Sequence, residues 1–558
     1  MPETITEMII PDVYIEVRAE GLIGAGGVSL ANVGIVGTAN RGPVGQVQML
    51  SSAGELEAAF GTADAFTGAE SDLSLARALD LLFANGARTV YAVRTAAPKD
   101  VKEAVYALKT VDGKVAVTLT ANTPGTWGND LGISLLKAAA PVLIKETVPA
   151  SGAGALTLKR KPAADARTVV RVTKGSRTRT FLGAQVLTAG TGELKAEQVR
   201  INPEDRKLTF HADALPAAGD QIEVTYAVEE AMELTLELKG TKERFVVPDA
   251  AYLLELLQKN GSQFVTARLG TDAYGALRTV ARTQDGANGE KATAADYEAA
   301  LEVLANQNVH IVIAPGLSTA DAYEKLNAHC QAAVDNGRER VAVVGTNLPA
   351  AGDAKYAQSV ATQAMAMGSD RVIFVAPGIV VTDKASGQKV SLPGTYAAAA
   401  VAGLISKLSA HTSPTNKEVL GIAALERELT PAELKLLLNS RVMPLHTQAG
   451  FRVVRGLTTS PAPWSQVTTR RIVDYAKAGI RQGALPYIGR LNNDRVRKAL
   501  KGTLDGFLTG MVQDEMLTSY QLDVKATRTD EINNRCTVTV TLKPTFSIDF
   551  VKVMMDLQ

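Results

Sequence analysis

The sequence predicts a multidomain α/β protein with an inserted β-rich domain and a small α+β C-terminal domain. Three observations predict it. The chain has 558 residues, 46% of them hydrophobic, too long for one core and too apolar for disorder. Apolar strands closed by glycine alternate with helical segments in its second half. A long run of short, β-branched segments interrupts that pattern between 98 and 240.

Taken in order, MIIPDVYIEV is β-like with an internal proline, which suits an arm or an edge strand. GLIGAGGV reads as a connector. SLANVGIVGTANRGPVGQVQMLSS gives two short strands around Arg41-Gly42-Pro43. SAGELEAAFG is a short helix with Ser52 as N-cap, Glu55 three residues on and Gly61 as its end. SDLSLARALDLLFANG has helical spacing, and ARTVYAVRT returns as a strand, completing a small α/β unit.

From about 98 to 240, VDGKVAVTLTA, NDLGISLL, GALTLKR, TVVRVTK and QIEVTYA are separated by Gly, Pro, Asn and Asp, the pattern of a mostly antiparallel β domain. NVHIVIAPG, RERVAVVG and RVIFVAPG then alternate with DAYEKLNAHCQAAVDNG and AKYAQSVATQAMAMG, spaced for right-handed crossovers over a parallel sheet. TYAAAAVAGLISKLS is an alanine-rich helix expected to pack closely. TPAELKLLLNSR is a helix capped by Thr430 with proline at its first position. Two further helices, TTRRIVDYAKAGIRQ and NDRVRKALKGTLDGFLTGMVQDEM, precede terminal strands. Past Pro544, Phe546, Ile548 and Phe550 fall on one side and Val551, Val553 and Met555 on the other. The last strand is therefore expected to be covered on both faces.

Charge and motifs narrow the function. With 59 basic and 58 acidic residues, the total supplies no basic field for a nucleic-acid partner. Cys330 and Cys536 fit neither a disulfide framework nor a metal site, so synthesis in a reducing compartment is expected. MPETITEMIIP lacks the charged and apolar regions of a signal peptide, and no stretch is apolar enough to predict stable membrane insertion. G-x-x-x-x-G-K-[ST] and H-E-x-x-H are absent, and no cofactor or metal is expected. His310, His329, Asp370 and Ser391 offer a triad only on paper, because no G-x-S-x-G elbow presents a nucleophile. His310 and Cys330 read as packing residues. Arg470 and Arg471 open an amphipathic helix and read as surface ion-pair formers.

Six motifs, in register along nearly the whole chain, carry a family resemblance. PDVYIEV is similar to a family opening P-G-V-Y-x-E, with Asp12 in place of glycine. GIVGTANRGPVGQVQMLSSAGELEAAFG contains a G-x-x-x-R-G-P-like segment and a helix ending at Phe60-Gly61. ALDLLFANGARTVYAVRT supplies Asn85, Gly86, Val90, Tyr91 and Arg94. NTPGTWGNDLGISL supplies Gly125, Trp127, Gly128 and Asn129. LPGTYAAAAVAGLISK with HTSPTNKEVLGI, and GFRVVRGLTT with TTRRIVDYAKAGI, complete the set. Together they resemble the sheath proteins of contractile bacteriophage tails, a group that also includes sheaths of phage-like bacteriocins and bacterial injection particles. The segment Ser409-Ala410-His411 departs from the more charged stretch of many relatives.

The resemblance implies a non-enzymatic protein with a subtilisin-like middle domain lacking protease residues and a β-sandwich or β-barrel-like outer domain. The expected boundaries are an N-terminal arm over 1–20, α/β core over 21–97, outer domain over 98–240, α/β domain over 241–460, inner domain over 461–543 and a strand arm over 544–558. It implies self-association into stacked six-fold rings around a tail tube protein, with baseplate and terminator or neck proteins as further partners. Location would be the virion tail, after assembly in the host cytoplasm. Contraction would drive the tube through the host envelope. Val13, Tyr14, Ile15 and Val17, with Phe546, Ile548, Phe550, Val551 and Val553, are the candidate intersubunit arms. The competing readings are a bacteriocin or injection-particle sheath, another self-assembling shell or tube protein, and a subtilisin-like hydrolase.

Overall fold

The computed structural model describes residues 29–69, 72–150, 154–163, 167–188, 190, 192–228, 230–350 and 352–556. The N-terminal arm and the glycine-rich connector lie outside them. The described chain forms two compact units, one from the residues up to Lys99 and from Gly289 onward, the other Asp100–Asn288.

The first unit is built on an eight-stranded sheet. Its order is Val47–Leu50, Val90–Thr95, Val33–Thr38, Ile311–Ile313, Val341–Gly345, Val372–Ala376, Met443–Thr447 and Phe451–Val453. The inner strands are parallel and the two edge strands antiparallel. Val33 lies between Val90 and Ile311, so a strand near residue 33 joins elements almost three hundred positions away. The segments 21–97 and 241–460 thus contribute to one sheet, not two. Both faces are covered, as parallel strands require. Leu75–Ala84 and Gly394–Lys407 pack on one face. Ala294–Leu304, Thr319–Asp335, Tyr356–Met367 and Pro431–Asn439 pack on the other.

Small residues set the closest approaches. The strand Val33–Thr38 runs through Gly34 and Gly37, and a Cβ on Gly37 would sit 2.8 Å from the Ser74 hydroxyl. The alanine-rich helix is buried at every position from Gly394 to Ser406, and a Cβ on Gly403 would overlap the Leu82 carbonyl. The Thr430 cap forms as expected, its hydroxyl accepting from Glu433 N and the Glu433 carboxylate accepting from Thr430 N. The helix Ala53–Phe60 departs from expectation. Ser52 makes no side-chain cap, and Glu55 instead takes hydrogen bonds from Ser51 N and the Ser51 hydroxyl.

Two helices, Val467–Ala484 and Asp494–Gln513, and the hairpin Leu517–Lys525/Thr537–Pro544 share a separate core at the C-terminal end. Gly479 is where the Phe507 ring docks, stacked on Tyr475 with centroids 5.9 Å apart.

The second unit has two cores. One lies between the sheets containing Val105–Thr110 and Met232–Leu238, closed by the helix Ala250–Asn260. The other lies between two four-stranded sheets spanning Val142–Val228. Residues 241–288 belong to this β-rich unit, although the sequence reading placed them in the α/β domain. Among the described residues, no helix is long and apolar enough to cross a membrane.

Candidate assembly surface

The hairpin Leu517–Lys525/Thr537–Pro544 is a two-stranded sheet standing alone. Tyr520, Leu522, Val540 and Leu542 pack on the helical layer, so register is set by the core-facing side. Both outer edges keep unpaired backbone N–H and C=O groups among the described residues, a surface that accepts further strands.

The chain leaves this hairpin as residues 545–556, which form no ladder with any described strand. Among the described residues the expected terminal strand does not form. Phe546, Ile548, Phe550, Val551 and Val553 are 60–82% exposed. Covering each would stabilise an assembly by about 1.5–3 kcal/mol. Polar contacts tie the segment down: Thr545 N donates to the Met516 carbonyl at 3.0 Å, Ser547 Oγ donates to Gln466 Oε1 at 3.4 Å, and Asp549 is the most heavily engaged. The Asp549 carboxylate, 6% exposed, accepts from Arg455 Nε at 2.7 Å and Gln466 Nε2 at 3.1 Å. The Arg455 guanidinium also lies 5.3 Å from the Phe550 ring centroid. Val13, Tyr14, Ile15 and Val17 lie outside the described residues.

Behind the hairpin, the helix Val467–Ala484 is stitched to the parallel sheet by charge. Asp474 accepts two hydrogen bonds from Arg371, at 2.8 and 3.0 Å, and one from Arg470 at 2.8 Å. Arg470 also reaches Asp370 at 2.8 Å and stacks 4.5 Å from the Trp464 ring. Arg471 donates to the carbonyls of Leu408, Ser409 and Leu30. Arg470 and Arg471 are therefore buried, not surface ion-pair formers. Burial pushes Arg471 down to about 10, opposed by Asp474. Glu339 joins the far end of the helix, accepting from Arg481 at 2.9 and 3.0 Å and pairing with Lys477 at 3.0 Å. Burial alone would raise its carboxyl, but the hydrogen bonds from Arg481 and Lys477 outweigh that and lower it to about 2.

The paper triad does not assemble. His310 accepts from Asn32 N at 3.4 Å, His329 contacts Arg340, Asp370 pairs with Arg470, and Ser391 lies opposite Val380 in an antiparallel pair. Burial first, then Arg340, holds both imidazoles down to about 4. Cys330 is fully buried, which pushes its thiol up to about 12. Among the described residues, no group of three or more His, Cys, Asp or Glu could hold a metal.

Residues 290–459 match the family described as phage tail sheath protein central domain, and residues 459–558 match phage tail sheath C-terminal domain. The chain belongs to the phage tail sheath family. It is a structural subunit of a contractile tail sheath, not an enzyme. The boundary between the two matched regions falls at residue 459, just before the stitched helix. The fold of the sheath chain is similar to that of a sheath tail protein from Desulfitobacterium hafniense, at 15% identity and TM-score 0.56, covering 96% of this chain and 100% of that one. It is also similar to a sheath tail protein from Listeria innocua, at 14% identity and TM-score 0.58, covering 93% of each. No curated protein matches the sequence.

Reasoning from sequence missed Asp549 and the stitched helix. Asp549 had a visible signal, an acid between Ile548 and Phe550 in an otherwise apolar run. Asp370 and Arg371, which receive the helix, carry no local sign of their partners.

Proposed function

We propose that the sheath subunit polymerises as stacked six-fold rings around a tail tube, joined by terminal arms that add strands to a neighbouring copy's hairpin. The observation that carries this is the pairing of opposites at one end of the chain. Among the described residues, an isolated hairpin offers two unsatisfied edges, and beside it a segment whose apolar side chains are exposed is held by a few polar contacts centred on Asp549. A segment with no strand partner among the described residues and an edge that can accept one would make a heterologous contact, which repeats without closing on a single pair. Val13, Tyr14, Ile15 and Val17 would supply the second added strand.

In this reading the parallel-sheet unit is a subtilisin-like scaffold without protease residues, and the β-rich unit faces outward. The tube lies inside, and baseplate and terminator or neck proteins meet the ends. Contraction switches between two packings of the same subunits, releasing stored interaction energy without nucleotide. The subunit assembles in the host cytoplasm and acts in the virion tail.

Electron microscopy of the purified full chain, alone and with its tube protein, tests the reading. Hollow cylinders are expected. A chain that stays monomeric under every condition, tube present, would overturn it.

A further inference from the structure

The β-rich unit contains a cavity of about 270 Å³ lined by residues 159–163, Arg206, Val228, Glu230, 248–249, Tyr274 and Ala276, and the proposed assembly role does not use it. Its floor is a buried ion pair. Arg160 Nε lies 2.5 Å from Asp249 Oδ2 and its Nη2 lies 3.0 Å from Oδ1, with the side chains 5% and 2% exposed. Asp249 is further committed as the cap of Ala250–Asn260, accepting from Tyr252 N at 2.9 Å. The floor is thus neutral and rigid.

The walls are not neutral. Lys159 and Arg206 line the cavity, and among the described residues neither has a carboxylate within ion-pair distance. Lys161 differs, since Glu204 neutralises it at 3.1 Å. Glu230 is one opposing carboxylate on the wall, leaving a net positive mouth. Arg206 is held in place by its own backbone. It has φ +56, a conformation that glycine or asparagine takes at lower cost, and its Nη1 donates to the Lys159 carbonyl at 3.1 Å. Tyr274, 48% exposed, borders the same space with Lys159 Nζ 5.9 Å from its ring centroid. Pro162, Val228, Pro248 and Ala276 supply apolar lining.

We propose that this cavity binds an oxyanion carried on a ring-sized body, such as a phosphorylated or carboxylated monosaccharide unit. A guanidinium fork beside an ammonium matches phosphate or carboxylate oxygens. At about 270 Å³ the volume falls just below the usual range of ligand pockets, about 300–1,000 Å³, which suits one ring and not an extended chain. The inference is independent of how the subunit polymerises.

Calorimetric titration of the full chain with glucose 6-phosphate, glucuronate and glucose tests it. Saturable binding of either anion, with none of glucose, is expected, and the anion that binds identifies the oxyanion. Lys159→Ala and Arg206→Gly should each weaken binding at least tenfold, and Glu230→Gln should strengthen it. Arg206→Gly relieves the backbone, so its Tm should hold or rise while affinity falls, separating binding from folding. Absence of binding by both anions, equal binding of glucose, or affinity unchanged in both weakened variants would overturn the proposal.

Discussion

The stitched helix Val467–Ala484 and the segment 545–556 belong to the same matched C-terminal region, yet they solve opposite problems. The helix carries arginines into the interior and gives them partners there: Asp474 for Arg371 and Arg470, and backbone carbonyls for Arg471. The segment carries phenylalanines and valines to the surface and gives them almost none. Polar groups buried with partners make a joint within the chain. Apolar groups exposed with no partner among the described residues are, in the proposed function, a joint that another molecule completes. The difference teaches where the sheath subunit is rigid and where it is open-ended.

The largest effect should come from removing the open end. Truncation after Pro544 is expected to abolish polymerisation seen by electron microscopy, while the monomer still unfolds cooperatively. Cylinders built by the truncated chain would break the comparison, since the segment would then be dispensable. The next largest should come from the stitch. Asp474→Ala leaves Arg371 and Arg470 buried without their shared carboxylate and should cost about 3–5 kcal/mol in urea unfolding.

Acid should open the other end of the stitch. The Glu339 carboxyl is lowered in the folded chain to about 2, so its contribution is fully present above the ordinary glutamate value. It is lost as pH falls from there towards 2. The loss should be about 2 kcal/mol, discounted because Arg481 and Lys477 are part exposed. Glu339→Gln should flatten that part of the stability–pH curve. The smallest effect on the monomer belongs to Phe550→Ala. Already 80% exposed, it should change monomer stability by less than about 0.5 kcal/mol while weakening assembly measured by sedimentation.

Much of the parallel sheet was legible. Ile311–Ile313, Val341–Gly345 and Val372–Ala376 fall within the three predicted apolar segments, and Tyr356–Met367 ends at Gly368 in the left-handed conformation. These features rest on local period and on glycine's freedom at a helix end. Other features were not legible for equally physical reasons. Arg470 and Arg471 look like surface charges because amphipathic period reports polarity, not the presence of Asp370 and Asp474 to receive them. The extent of the β-rich unit to Asn288 was missed because the helix Ala250–Asn260 imitates the α/β pattern that follows it.

The sequence by itself determined the alternation of strands and helices, the helix caps such as Thr430, the family and the apolar character of the last residues. Each is written in neighbouring side chains or in motifs kept in order. Only the tertiary structure decided that Val33 pairs beside Ile311, that Arg371 meets Asp474, and that residues 545–556 pair with no strand among the described residues. Those outcomes depend on which distant surfaces can approach and satisfy one another, and local pattern carries no record of distance.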